Sequence, residues 1–126
     1  MEFRSPIKEA RGLGASHHGT SHWWAQRVTA IGMVPLMLWL VVGLAANAGG
    51  THADAVAWLG HPVNAVIMVV LFGVLFYHAS LGLQVVLEDY VSHKGVRLGI
   101  VLGVRFLALL LATTAIFAVL TIALGG

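Results

Sequence analysis

The chain has 126 residues, 59% hydrophobic and 10% charged, where a soluble domain is about 45–50% apolar and about 25% charged. So few charges cannot cover so much apolar surface, which excludes a soluble globule, and the length allows one domain. The absence of Cys excludes disulfides and thiolate metal or iron–sulfur sites within the chain, and seven Lys and Arg against five Asp and Glu, with no basic cluster, form no nucleic-acid surface but can orient a membrane protein.

In chain order, residues 1–22 form a polar, Gly-containing stretch predicted as a cytoplasmic tail. It has no apolar h-region, so no cleavable secretory signal is expected. Residues 23–126 are predicted as an all-α, three-helix membrane anchor domain within a multi-subunit helix bundle, with spans at about 26–48, 62–88 and 97–124. Val28–Ala48 and Val63–Leu87 carry no charge, and Leu98–Leu124 carries only Arg105. As helices these runs would be about 31, 37 and 40 Å long, enough to cross a hydrocarbon core of about 30 Å. Asn47-Ala48-Gly49-Gly50 ends the first helix, and His61-Pro62 opens the second, since Pro is tolerated at a first helical position. His93-Lys94-Gly95 is a tight polar link to the third, and Pro35 is expected to kink the first.

Lys and Arg set the orientation. Arg4, Lys8, Arg11 and Arg27 lie on the N-terminal side, Lys94 and Arg97 in the second-to-third loop, and none in the first-to-second loop or at the C-terminus. The positive-inside rule makes the N-terminus and the 88–97 loop cytoplasmic (or matrix-side) and the C-terminus periplasmic. Trp23, Trp24, Trp58 and Tyr90 then fall near the interfaces, as aromatic belts do.

His78 stands out. It lies nine residues before Leu87, about 14 Å in from the cytoplasmic end and near the bilayer midplane. An ionisable group at that depth normally faces a partner, a cavity or a cofactor. Cofactor ligation, proton relay and a structural hydrogen bond are all open to it. His78, Gly82, Val85 and Asp89 share one helical stripe. Gly82 suits either a flat macrocycle or the approach of a neighbouring helix. The other His, at 17, 18, 22, 52, 61 and 93, all fall in tails or loops. If His78 binds haem with two His ligands, the second must come from another chain.

Other residues carry weaker signals. Arg27, at the cytoplasmic mouth of the first helix, can reach a haem propionate or act as a snorkelling anchor, and snorkelling serves equally well for Arg105. Glu88-Asp89-Tyr90 puts acids at a helix C-terminus, against the macrodipole. A phenol and a carboxylate there can hydrogen-bond and protonate a quinone headgroup, or can simply be an interfacial Tyr beside solvated acids. His17, His18 and His22 lack a ligand-spaced partner and make a poor metal site, and Gly95, Gly99 and Gly103 form a GxxxG repeat that favours close helix packing within the chain or with a partner.

The stretch YHASLGLQVVLEDYV, with His78 and then Asp89-Tyr90, resembles the second helix of the small hydrophobic anchor (D-type) subunit of succinate dehydrogenase, respiratory complex II. GTSHWWAQRVTA, containing Arg27, is similar to the start of that subunit's first helix, and the resemblance covers roughly residues 12–124, with an alphaproteobacterial and mitochondrial-like flavour at Trp23 and Trp24. It implies that His78 is one axial ligand of the iron of a haem b shared with a second, cytochrome b556-type anchor subunit. Arg27 would pair with a haem propionate. Tyr90 would hydrogen-bond a ubiquinone carbonyl, with Asp89 organising or protonating that site. The further partners implied are the iron–sulfur subunit, the flavoprotein subunit and the lipid bilayer, in a bacterial inner membrane. Succinate oxidation itself belongs to the flavoprotein, so no catalytic residue is expected here.

The equivalent anchor of a quinol:fumarate reductase is the nearest alternative reading. A small proton channel or transporter would need a polar path, and near His78 only Tyr77 and Ser80 on neighbouring faces, with Gln84 further on, supply one. A scaffolding protein without cofactor would leave His78 and Asp89-Tyr90 without a role.

Overall fold

The computed structural model describes residues 17–125 and, among them, consists of four helices and no strand. These are α1 (His17–Asn47), α2 (His52–Gly60), α3 (Pro62–Tyr90) and α4 (Lys94–Ala123). Three are long and apolar enough to cross a membrane: Thr20–Asn47 within α1, Pro62–Tyr90 and Lys94–Ala123. At about 1.5 Å per residue each helix runs well beyond a hydrocarbon core of about 30 Å. The three expected spans are therefore present, each starting before its apolar run and α3 also ending beyond it.

Two boundaries differ from the sequence expectation. First, α1 is already helical at His17, the first described residue, inside the stretch read as tail; the backbone is helix through these polar residues because nothing there breaks it. Residues 1–16 lie outside the described residues. Second, the 49–60 connection holds the short helix α2. Its start is a capping box: the Thr51 hydroxyl accepts from the Asp54 backbone N–H at 3.3 Å, and the Asp54 carboxylate accepts from the Thr51 N–H at 2.7 Å. These bonds, the backbone one first and the hydroxyl second, hold the Asp54 carboxyl below its ordinary value. Helix α1 is continuous through Pro35.

The punctuation read at His61-Pro62 is borne out. His61 caps α3, its Nδ1 accepting from the Val63 N–H at 3.3 Å, with Pro62 at the first helical position. His93 does the same for α4 through the Val96 N–H at 3.2 Å, so the link between α3 and α4 is only residues 91–93. Two of the loop histidines thus have local backbone roles.

Helix α3 is the central element, packed on α4 along its length and on α1. The core lies at the end of the bundle that α2 closes: Ala65, Met68, Leu71 and Val119 are buried, with Leu36, Trp39 and Trp58 packed on them. Trp58 was expected in an interfacial belt. It lies on the short helix between two spans with its ring against Gly43 of α1, where any Cβ would collide with it. Asn64 donates to the Trp58 carbonyl at 2.8 Å and ties α2 to α3. At the other end, among the described residues, only Leu81 and Val101 are buried, and most large apolar side chains face outward, as Ile31, Phe106 and Phe117 do. Helices apolar all round belong among lipid tails or other helices. The Gly99 and Gly103 positions face open space, so this part of the GxxxG repeat makes no close packing within the chain.

Candidate functional site

The less tightly packed half of the bundle holds the polar side chains. Along α1, His22, Ala25, Gln26 and Thr29 are spaced as one helical face, and all four are half-buried. That face meets α3 at His78, where Thr29 Oγ1 lies 2.8 Å from Nδ1 of the imidazole. Gly82, one turn further along α3, admits the Gln26 amide, which lies 3.6 Å from the position a Cβ would take. Of the two uses read for Gly82, the approach of a neighbouring helix is present in the structure.

The hydroxyl of Thr29 has two further neighbours, the carbonyl oxygens of Ala25 at 2.6 Å and Gln26 at 3.2 Å. A carbonyl can only accept, so the single hydroxyl proton goes to the backbone, and the oxygen is left to accept from Nδ1–H. The opposite assignment would leave two oxygens 2.6 Å apart with no proton between them. The proton of this contact therefore sits on Nδ1 of His78, and Nε2 makes no hydrogen bond among the described residues. A half-buried imidazole held at Nδ1 with Nε2 unengaged is suited, in its neutral form, to ligate a metal. No group of three or more His, Cys, Asp or Glu able to hold a metal occurs among the described residues. The donor set fits one axial position on a haem iron, with the rest of the coordination coming from the macrocycle and a second chain.

Beside this contact, α1, α3 and α4 enclose a cleft of about 530 Å³ bordered by His22, Tyr77, Gln84, Glu88 and Arg105. Arg105 of α4 donates to Gln84 Oε1 at 2.7 Å, and Gln84 Nε2 donates to Glu88 at 2.8 Å. Arg105 thus has a partner on α3, and one of the two acids at the end of α3 is tied to a cation through an amide. His22 Nε2 and Gln26 Oε1 are buried without a hydrogen-bond partner. His22 lies on α1, so it is no part of a tail; the side chains of His17 and His18 lie outside the described residues. Sequence reasoning assigned no role to Thr29 or Gln26, and read Glu88 only as one of two acids at the end of its helix. The usable signal was the seven-residue span from His22 to Thr29 on one face.

The other expected site residues stand apart. Arg27 is exposed, its guanidinium 5.4 Å from the centre of the Trp23 ring in a cation–π contact. It lies two residues from Thr29, about 200° round the helix, on nearly the opposite side of α1 from the His78 contact. Asp89 shares the His78 face of α3 about 16 Å further on, and it is exposed, as is Tyr90 at 85%. The chain brings Thr29 to His78 but does not bring Arg27, Asp89 or Tyr90 to either.

These features define a three-span membrane protein with one imidazole poised between two helices and a polar cluster toward one surface. Residues 1–121 match the family of succinate dehydrogenase/fumarate reductase transmembrane subunits, and the chain belongs to that family. It is a membrane anchor subunit of the succinate dehydrogenase kind. It is 34% identical over 119 residues, 94% of each chain, to the succinate dehydrogenase hydrophobic membrane anchor subunit of Rickettsia bellii. It is 29% identical over 126 residues, all of this chain and 97% of the other, to that of Paracoccus denitrificans. It is 28% identical over 94 residues, 72% of this chain and 78% of the other, to the succinate dehydrogenase membrane anchor subunit of Reclinomonas americana. No solved structure gives a significant match.

Proposed function

We propose that this chain anchors a succinate:quinone oxidoreductase in the bacterial inner membrane, supplies one axial ligand to a shared haem b, and forms part of the ubiquinone-reduction site. The observation that carries the proposal is the free Nε2 of His78 on a helix whose opposite imidazole edge is already paired. The second His comes from a partner anchor subunit of the cytochrome b556 type, because the remaining His of the described spans sits at the cleft, on α1 (His22), four residues short of Gln26 and two turns from Thr29. A haem held there supplies reversible one-electron chemistry.

The chain's own groups bind and orient. His78 presents Nε2; Arg27, with no carboxylate partner among the described residues, is available to a propionate that reaches round α1 to its exposed face. Tyr90 can donate its phenolic proton to a quinone carbonyl, and Asp89 can hand on a proton as the quinone is reduced. Their exposure at the end of α3 fits a site closed by the iron–sulfur subunit and the second anchor, with the flavoprotein subunit beyond. A proton channel is the weaker reading: the polar groups gather in one half, and the other half is filled by the Ala65, Met68, Leu71 and Val119 core.

The test is a dithionite-reduced minus oxidised visible spectrum of the detergent-purified complex and of its His78→Ala variant. A b-type α band that is lost or shifted in the variant supports the proposal. An unchanged band removes His78 from the iron.

A further inference from the structure

We infer that Thr29 is a positioning residue for the His78 imidazole: it holds the ring in one tautomer and one orientation, and it tunes the electron-donating strength of Nε2. The inference rests on the reading of His78 as a haem ligand and extends it to a residue on a different helix.

The geometry makes a three-part relay. Nδ1–H of His78 donates to Thr29 Oγ1 at 2.8 Å, and the Thr29 hydroxyl donates onward to the Ala25 carbonyl at 2.6 Å, with the Gln26 carbonyl at 3.2 Å. Imidazoles that ligate metals commonly donate their second N–H to a carboxylate, carbonyl or water, which fixes the ring and raises its basicity. Here the backbone carbonyl is reached through a hydroxyl. The two acceptor carbonyls belong to α1 and the imidazole to α3, so the relay also fixes the distance between these helices at the ligand.

Two features make the hydroxyl the effective group. Thr29 is half-buried against α3, where a lost partner leaves an imidazole N–H away from water. No other polar atom of the described residues bonds Nδ1, so nothing else substitutes. Hydrogen bonding at Nδ1 pushes electron density to Nε2 and favours the ferric state of a ligated iron. Removing it raises the midpoint potential.

The test uses the purified complex with its partner subunits, in parent, Thr29→Val, Thr29→Ser and His78→Ala forms. Potentiometric titration of the haem α band gives the midpoint potential, and electron paramagnetic resonance of the oxidised complex gives the low-spin g-values. Thr29→Val should raise the potential and shift the largest g-value, or release haem, while Thr29→Ser should restore both readings to the parent. If Thr29→Val matches the parent while His78→Ala loses haem, the positioning role is overturned and the ligand reading stands. If Thr29→Val and Thr29→Ser depart equally from the parent, the shape and packing of the side chain are responsible and the role of the hydroxyl is overturned. A parent-like spectrum in His78→Ala overturns the ligand reading and the positioning role with it.

Discussion

Trp58 of α2 stacks on Trp39 of α1 with ring centroids 5.2 Å apart and planes 24° from parallel, and its six-membered ring fills the space left by Gly43. A stacked pair contributes about 0.5–1.5 kcal/mol beyond its buried area. Trp58→Ala should therefore destabilise the half-buried cluster by about 2–3 kcal/mol, below the range for a fully buried Trp. Gly43→Leu should act in the same direction from the opposite side. Thermal unfolding of the detergent-solubilised complex checks both, with Trp58→Phe expected to recover much of the loss.

The capping box of α2 makes a separate prediction. Thr51→Ala removes the hydroxyl that accepts from the Asp54 N–H and should cost about 1 kcal/mol. Amide exchange across residues 52–60 should then quicken roughly fivefold, with that in α3 and α4 unchanged.

The pH dependence of the same helix follows from Asp54. Its folded pKa is depressed by the Thr51 bonds, so its contribution is complete above the ordinary carboxylate value of about 3.9. It is lost as pH falls through the lower folded value. Protection factors of the α2 amides, corrected for intrinsic exchange, should stay flat down to that range and fall below it, and Asp54→Asn should remove the step.

Arg105 and Gln84 join α4 to α3 through a 2.7 Å hydrogen bond. Interhelical hydrogen bonds in membrane proteins average about 0.6 kcal/mol and reach about 1.7 kcal/mol. A double-mutant cycle with Arg105→Leu and Gln84→Leu should return a coupling in that range. A coupling near zero would make Arg105 a snorkelling anchor after all.

Tyr90→Phe keeps the ring and removes the hydroxyl at the exposed end of α3. Quinone reduction by the complex should fall while succinate oxidation with an artificial acceptor persists. Unchanged quinone reduction would take Tyr90 out of the site.

The chain has no Cys, which makes its orientation directly measurable. Ser92→Cys in the short α3–α4 link should react with a membrane-impermeant thiol reagent only from the cytoplasmic face. Ala53→Cys in α2 should react only from the other. The reverse pattern would invert the topology drawn from Lys and Arg.

The three spans were legible because a bilayer demands about 20 apolar residues in a row, a one-dimensional requirement that Val28–Ala48, Val63–Leu87 and Leu98–Leu124 meet openly. Helix ends were less legible. Nothing in the polar residues 17–22 dictates where a helix starts, and α2 was signalled only by Thr51 and Asp54 at capping-box spacing. The GxxxG repeat marked small residues without saying which neighbour uses them, and the structure leaves Gly99 and Gly103 open.

By itself the sequence determined that this chain has three apolar spans, that His78 lies in the interior of the second, and that Asp89 shares its face of α3. Each of these depends on composition and on the 3.6-residue period, which act along one helix. Only the tertiary structure decided that Thr29, 49 residues away, holds Nδ1, that Gly82 faces Gln26, and that Arg27 points away from the imidazole. Periodicity fixes which residues share a face; which two faces meet depends on packing between helices, and that information is spread over segments far apart in the chain.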